Sequence, residues 1–163
     1  MTKPHFGVHG EEIKKPFHYK GCGLDGIYLI NGYKIHETEY GQGVSIKNLD
    51  GLLDAIAEYL VEGKKVLGGK EIRFLRLRMD ITQSEMGRLL GMSAQQVARW
   101  EKDQSQIPGP ADRLLRVIYT HHIGRSFDLR DLLKCLDEQD SPMNDKAVFI
   151  NPDENEDSWK RAA

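Results

Sequence analysis

The stretch that decides the fold runs Ile81-Thr82-Gln83-Ser84-Glu85-Met86-Gly87-Arg88-Leu89-Leu90-Gly91-Met92-Ser93-Ala94-Gln95-Gln96-Val97-Ala98-Arg99-Trp100-Glu101. Thr82 and Glu85 have the spacing of a capping box, which predicts that a helix begins after Thr82. Gly91 follows the apolar face of that helix and can adopt the left-handed conformation of a sharp turn. Ser93 can cap a second helix. Two short helices joined by a tight glycine turn predict a helix-turn-helix unit.

The second helix of this unit has one apolar and one polar face. Val97 and Trp100 have the spacing of the inward face. The side chains left free on the other face are Ala94, Gln95, Gln96 and Arg99. Glutamine matches the N6 and N7 edge of adenine, arginine forks onto O6 and N7 of guanine, and either can bind phosphate instead. This face therefore predicts binding in the major groove of double-stranded DNA.

The charge of the chain is segregated along its length, although the net charge is only −2. Residues 64–125 carry twelve Lys and Arg against six Asp and Glu. Residues 1–63 carry six against nine, and residues 126–163 carry five against ten. A basic middle between acidic flanks gives the local positive field to which a polyanion responds, and it coincides with the predicted helix-turn-helix.

The N-terminal part has the pattern of strands followed by one helix. The runs 27–30 and 33–36 flank Asn31-Gly32, the strongest short-range signal for a β-hairpin. Residues 44–46 could add a third strand, and the apolar periodicity of 50–62 predicts a helix. Residues 1–20 have no clear period and are expected to form a loose arm.

The rest of the chain predicts a helical bundle and a tail. The predicted helices span about 70–79, 83–90, 94–102, 110–122 and 128–137. The last segment is acidic and broken by Pro142 and Pro152, so we expect it to be disordered apart from the apolar run 148–150. We thus expect a mainly α, overall α+β fold: a β-hairpin and helix module (1–63), a five-helix DNA-binding bundle (64–137) and an acidic tail (138–163).

Residues 70–120 resemble the XRE/Cro-type helix-turn-helix domain, a five-helix bundle of bacterial and phage repressors. The sequence departs from the family pattern at Gly87, where the family usually has Ala, and at Asp103, where it usually has Gly. The resemblance implies a structural ion pair between Arg76 and Glu101, with a phosphate contact by Arg76 as the alternative. It also implies a homodimer on a palindromic operator. The implied DNA-contacting residues are Gln83, Ser84, Ser93, Ala94, Gln95, Gln96, Arg99 and Lys102.

The whole chain also resembles the MqsA-type antitoxins, in which a cysteine-bearing β segment precedes an XRE domain. Those proteins neutralise a small toxin and repress their own operon. They usually carry two Cys-x-x-Cys pairs that bind zinc, whereas this chain has only Cys22 near its predicted hairpin. The zinc site is therefore not carried over. An antitoxin-type autoregulator is the leading interpretation, and a stand-alone XRE-type regulator without a toxin partner is the alternative.

Other chemistries have weak support in the sequence. His5, His9, His18, Cys22 and His36 lack the recurring short spacings of a zinc site, so we expect no metal and no cofactor. Cys22 with His18 or His36 is the one set that could supply nucleophile and base, and no oxyanion-hole or phosphate-loop signature accompanies it, so we expect no enzyme.

Compartment and membrane association can also be judged from composition. Two cysteines do not form a disulfide framework, and no run of 18 apolar residues is present. The first residues contain no apolar stretch typical of a signal peptide. These features predict a cytoplasmic protein that does not bind membranes.

Overall fold

The computed structural model describes residues 15–126, 128–137, 146–151 and 158–162. The helices are α1 (Leu49–Glu58, followed by a π-helical turn at Tyr59–Gly63), α2 (Gly69–Arg78), α3 (Gln83–Leu90), α4 (Ala94–Glu101), α5 (Gly109–His122) and α6 (Leu129–Asp137). The strands are β1 (Phe17–His18), β2 (Ile27–Leu29), β3 (Tyr33–Thr38), β4 (Gly41–Ile46), β5 (Ala147–Ile150) and β6 (Lys160–Arg161). The predicted α+β fold is confirmed, and the five helices α2 to α6 begin and end within about one residue of their predicted bounds.

The four-stranded sheet joins the two ends of the described chain, in the order β1-β2-β5-β6. β5 lies parallel to β2, with Leu29 opposite Phe149, and it pairs antiparallel with β6. Leu29 and Phe149 are fully buried, because alternate residues of both strands point into the core. The run 148–150, which is excepted from the expected disorder of the tail, lies in β5, and the expectation of disorder is wrong for Ala147 and for β6. Residues 138–145 and 152–157 lie outside the described residues.

The predicted hairpin around Asn31-Gly32 is wrong. β2 is flanked by β1 and β5, and β3 instead pairs antiparallel with β4 through a tight turn at residues 39–40. Gly32 does have a positive φ of 74°, but it leads the chain from one sheet to the other. Asn31 holds this junction, since its Nδ2 donates to the Asn151 carbonyl (2.8 Å) and its Oδ1 accepts from the Asn151 N–H (2.7 Å).

Three other expectations for the N-terminal part have mixed outcomes. The third strand predicted at 44–46 is present as the end of β4. The helix predicted at 50–62 is present, with its last turn π-helical. A loose arm over residues 1–20 is wrong for β1, while residues 1–14 lie outside the described residues.

A buried arginine on α5 connects the helical bundle to the end of α1. Arg116 has no solvent exposure. Its Nη1 donates to the carbonyls of Leu60 (3.1 Å) and Val61 (2.8 Å), and its Nε donates to Asp112 Oδ1 (2.5 Å). Asp112 Oδ2 in turn accepts from the Leu67 N–H (3.1 Å). The bonds to Leu60 and Val61, like the apolar core, cross the boundary predicted after residue 63.

Ion pairs add to this connection between the acidic N-terminal part and the basic bundle. They join Asp54 to Arg78, Glu58 to Arg125 (2.7 Å) and Asp25 to Lys70 (2.6 Å). All six groups keep part of their surface in water, so each pair contributes little stability. Their main consequence is electrostatic, because they neutralise cations of the bundle on the side that faces α1 and its neighbours.

Candidate nucleic-acid interface

The helix-turn-helix begins with a complete capping box at α3. Thr82 Oγ1 accepts from the Glu85 N–H (3.1 Å), and Glu85 Oε2 accepts from the Thr82 N–H (2.7 Å). Hydrogen bonds from the backbone and hydroxyl of Thr82 lower the pKa of Glu85 below its usual range. The start of α3 therefore lies where the sequence pattern places it.

The turn between α3 and α4 depends on two glycines. Gly91 has φ 70°, the left-handed conformation expected at the end of α3. The Met92 N–H donates to the Gly87 carbonyl at 2.7 Å, and a Cβ built on Gly87 would lie 2.6 Å from the Met92 carbonyl oxygen. The departure from the family pattern at Gly87 is thus explained by the close approach of this turn.

The second helix presents its polar face to solvent. Ser93 Oγ accepts from the Gln96 N–H (3.1 Å) and caps α4, while Val97 and Trp100 are buried. The predicted contact residues that are exposed on α3, α4 and their ends are Ser84, Ser93, Ala94, Gln95, Arg99 and Lys102. Gln96 is half-buried, and its Nε2 donates to Ser105 Oγ (3.1 Å). Gln96 is therefore less available for a base than Gln95.

Arg76 and Glu101 form a bidentate ion pair beneath this face. Arg76 Nε and Nη2 lie 2.6 and 3.2 Å from the two carboxylate oxygens of Glu101, and Arg76 Nη1 donates to the Ile81 carbonyl (2.9 Å). The two side chains are only 11% and 4% exposed. All three guanidinium nitrogens of Arg76 are engaged, which favours a structural role over a phosphate contact.

Gln83 belongs to the same network. Its Nε2 donates to Glu101 Oε2 at 2.8 Å, and the side chain is half-buried. The amide nitrogen carries a second hydrogen that can still donate to a phosphate. Gln83 therefore links the start of α3 to the end of α4, and its predicted phosphate contact remains a prediction.

We expect Arg76→Ala to lower the free energy of unfolding by about 2–3 kcal/mol, because the nearly buried carboxylate of Glu101 loses its cation. Glu101→Gln should cost a similar amount, and the double variant should cost less than the sum of the two. Urea denaturation of the four proteins measures this coupling. Additive effects would mean that the two side chains act independently and that the pair does not hold α4 in place.

A further contact that the sequence did not predict locks α2 against the end of α4. Asp103 has a positive φ of 54°, and its Oδ1 accepts from the Gly69 N–H (2.8 Å) at the start of α2. A Cβ on Gly69 would lie 2.5 Å from the Trp100 carbonyl oxygen. Asp103 thus takes the turn conformation that suits the family's glycine and adds a cap. The sequence signal for this contact was Asp103 itself, which stands where the family usually has Gly.

Uncompensated positive charge lies on α3 and α4. Within the described ranges, no ion pair involves Arg88, Arg99 or Lys102, and all three are exposed. Arg88 was not among the predicted contact residues, although its charge and its place on α3 could have indicated it. Arg73 on α2 and Lys65 before it are exposed without an ion pair in the same ranges, so the positive surface extends beyond the helix-turn-helix. Arg88, Arg99 and Lys102 are the part of this surface that lies where α4 would meet DNA.

The residues considered for metal binding or catalysis make other contacts. His18 stacks on Tyr28 (4.8 Å between ring centroids), and His36 Nε2 shares a hydrogen bond with Ser45 Oγ (2.7 Å). Burial raises the pKa of the Cys22 thiol, the opposite of nucleophile activation. No group of three potential ligands occurs in the described part of the chain, and His5 and His9 lie outside it. None of the helices that the structure describes is long and apolar enough to cross a bilayer.

Comparison with known proteins agrees with this geometry. Residues 72–111, from α2 to the start of α5, match the family model of the helix-turn-helix domain. No curated protein and no solved structure matches the chain significantly. The chain therefore carries, at residues 72–111, a helix-turn-helix DNA-binding domain of the XRE type, the domain of DNA-binding transcription regulators.

Proposed function

We propose that this protein is a sequence-specific transcriptional repressor that binds a palindromic operator in double-stranded DNA as a homodimer. The observation that carries the proposal is the exposed face of α4, where Gln95 and Arg99 stand free above an ion pair that holds the helix. Both side chains have the donors and acceptors needed for base edges. A repressor of this kind acts in the cytoplasm, where bacterial DNA lies, and the proposal includes no catalytic step, metal or cofactor.

Substitutions on α4 should separate base contacts from phosphate contacts. On an operator selected from random DNA, we expect Gln95→Ala or Arg99→Ala to cost about 1–3 kcal/mol and to relax the preference at one base pair of each half-site. Lys102→Ala, the matched control at the end of the same helix, should weaken all sequences about equally. Fluorescence anisotropy with operator and random duplexes measures both quantities. An unchanged ratio of operator to random affinity in both Gln95→Ala and Arg99→Ala would contradict the assignment of α4 as the recognition helix.

The finer proposal is an antitoxin that represses its own operon. It is supported by the resemblance of the whole chain and by the acidic N-terminal part, whose two-stranded sheet β3–β4 is not needed for a helix-turn-helix. Its partner would be a small basic toxin. Co-expression with the product of the adjoining gene tests this, since an antitoxin should restore growth and co-purify at a fixed stoichiometry.

The alternative is a stand-alone regulator in which the N-terminal part serves assembly. The apolar side chains exposed on the β3–β4 hairpin favour a role in contacts between chains. An adjoining gene whose product is harmless and does not co-purify would favour this alternative.

A further inference from the structure

The β3–β4 hairpin forms a two-stranded sheet by itself, and in the described ranges neither outer edge pairs with another strand. Proteins usually protect such edges with charged residues or proline. β3 follows this rule with Lys34 and Glu37. β4, which reads Gly41-Gln42-Gly43-Val44-Ser45-Ile46, contains no charge and no proline. The outer edge of β4 is therefore open to pairing.

The register shows which backbone groups of β4 face outward. The Lys47 N–H donates to the Gly32 carbonyl (2.8 Å), so residues 32 and 47 are a hydrogen-bonded pair. Such pairs alternate with non-hydrogen-bonded ones along antiparallel strands. Val44 and its partner Ile35 are three positions further along and so form a non-hydrogen-bonded pair. The N–H and C=O groups of Gln42, Val44 and Ile46 consequently point away from β3.

The side chains of the hairpin also expose apolar surface. Ile35 and Val44 share one face and are 49% and 40% exposed, and Tyr40 at the tip is 99% exposed. A two-stranded hairpin is only marginally stable in water. Addition of strands beside β4 would widen the sheet and extend this apolar face.

We propose that two copies of the chain pair β4 with β4 in antiparallel orientation about a two-fold axis at Val44. In this register Val44 meets Val44, Gly43 meets Ser45 and Gln42 meets Ile46, so no like charges face each other. The outward backbone groups fall opposite one another and form about six hydrogen bonds. The equivalent pairing of β3 about Ile35 would place Lys34 against His36 and Tyr33 against Glu37, which makes β4 the self-complementary edge.

This inference deepens the proposed function, because a palindromic operator is bound by two copies. The interface is isologous, so each residue at the axis meets its own copy. That property distinguishes a second copy from a foreign strand. Only in a pairing of two copies does position 44 of one chain meet position 44 of the other, so only then do opposite charges introduced at Val44 attract each other.

The test uses the full chain and sedimentation equilibrium without DNA. We expect the wild type and Val44→Thr to sediment at twice 18.6 kDa. Val44→Pro, which removes an outward N–H and also fixes the backbone φ at this position, should sediment as the monomer. Val44→Lys and Val44→Glu should each be monomeric alone, and an equimolar mixture should restore the dimer. A circular dichroism spectrum like that of the wild type shows that a variant is folded. If Val44→Pro disrupts the hairpin, the mixture of Val44→Lys and Val44→Glu still tests the pairing.

A monomeric wild type, a dimer that persists in Val44→Lys, or a mixture that stays monomeric would each overturn the β4 pairing. Anisotropy with a half-site duplex separates this result from the proposed function. Val44→Lys should bind the half-site as the wild type does. A dimer that behaves as expected but prefers no DNA sequence would contradict the proposed function alone.

Discussion

Replacement of Arg116 by methionine is expected to lower the free energy of unfolding by about 3–5 kcal/mol, the usual cost of breaking a buried ion pair from one side. The guanidinium is completely buried, and Asp112, only 6% exposed, would be left without its cation. The Leu60 and Val61 carbonyls within the π-helical turn would also lose their donor. Methionine keeps much of the volume, so the loss reports mainly on these polar contacts.

Urea denaturation measures the effect, and Arg113→Met provides the matched control on the same helix. Arg113 is 51% exposed, so its replacement should change stability by less than about 0.5 kcal/mol. The double variant Asp112→Asn, Arg116→Met should recover part of the loss, because it leaves no unpaired charge. Equal effects of Arg116→Met and Arg113→Met would show that α5 and the end of α1 are not held together by Arg116.

Phe149→Ala is expected to cost a similar amount, about 3–5 kcal/mol, because it opens a cavity in the central part of the sheet. Phe149 is fully buried, lies opposite Leu29 on β2 and meets the Tyr59 ring edge-on, with centroids 6.2 Å apart. The ring therefore joins the C-terminal strand both to the N-terminal sheet and to the π-helical turn after α1.

Val148→Ala is the control for this substitution. Val148 is half-buried on the opposite side of the same strand, so its truncation should cost about 1 kcal/mol. Thermal and urea unfolding of both variants measure the difference. If Phe149→Ala were no worse than Val148→Ala, residues 147–150 would not belong to the cooperative fold, and β5 would not join the C-terminal part to the N-terminal sheet.

The helix-turn-helix could be predicted because its signals are local. The capping box at Thr82, the left-handed Gly91 and the cap at Ser93 each act within a few residues, and the structure has all three. Those signals place the ends of α3 and α4 without knowledge of the rest of the chain. The family resemblance added the Arg76–Glu101 contact, which spans 25 residues and has no local signature.

The N-terminal sheet could not be predicted in the same way. Asn31-Gly32 is a strong hairpin signal, but its strand β2 pairs with a strand about 120 residues away, as the Asn31–Asn151 hydrogen bonds show. A rule based on neighbouring residues cannot take into account a distant strand such as β5 that competes to pair with β2. The buried Arg116 is similar, since a single arginine in an amphipathic helix gives no sign that distant carbonyls will surround it.

The proposed function requires α3 and α4 to bind a specific DNA sequence through a locally positive surface. The most direct measurement is the affinity of the full chain for a selected palindromic duplex and for a scrambled duplex, between 50 and 200 mM salt. With about six phosphates contacted per dimer, a plot of the logarithm of affinity against the logarithm of salt concentration should have a slope of about −5. The palindrome should remain preferred at every salt concentration. Affinity that does not depend on salt, or that is equal for both duplexes, would contradict sequence-specific DNA binding by α3 and α4.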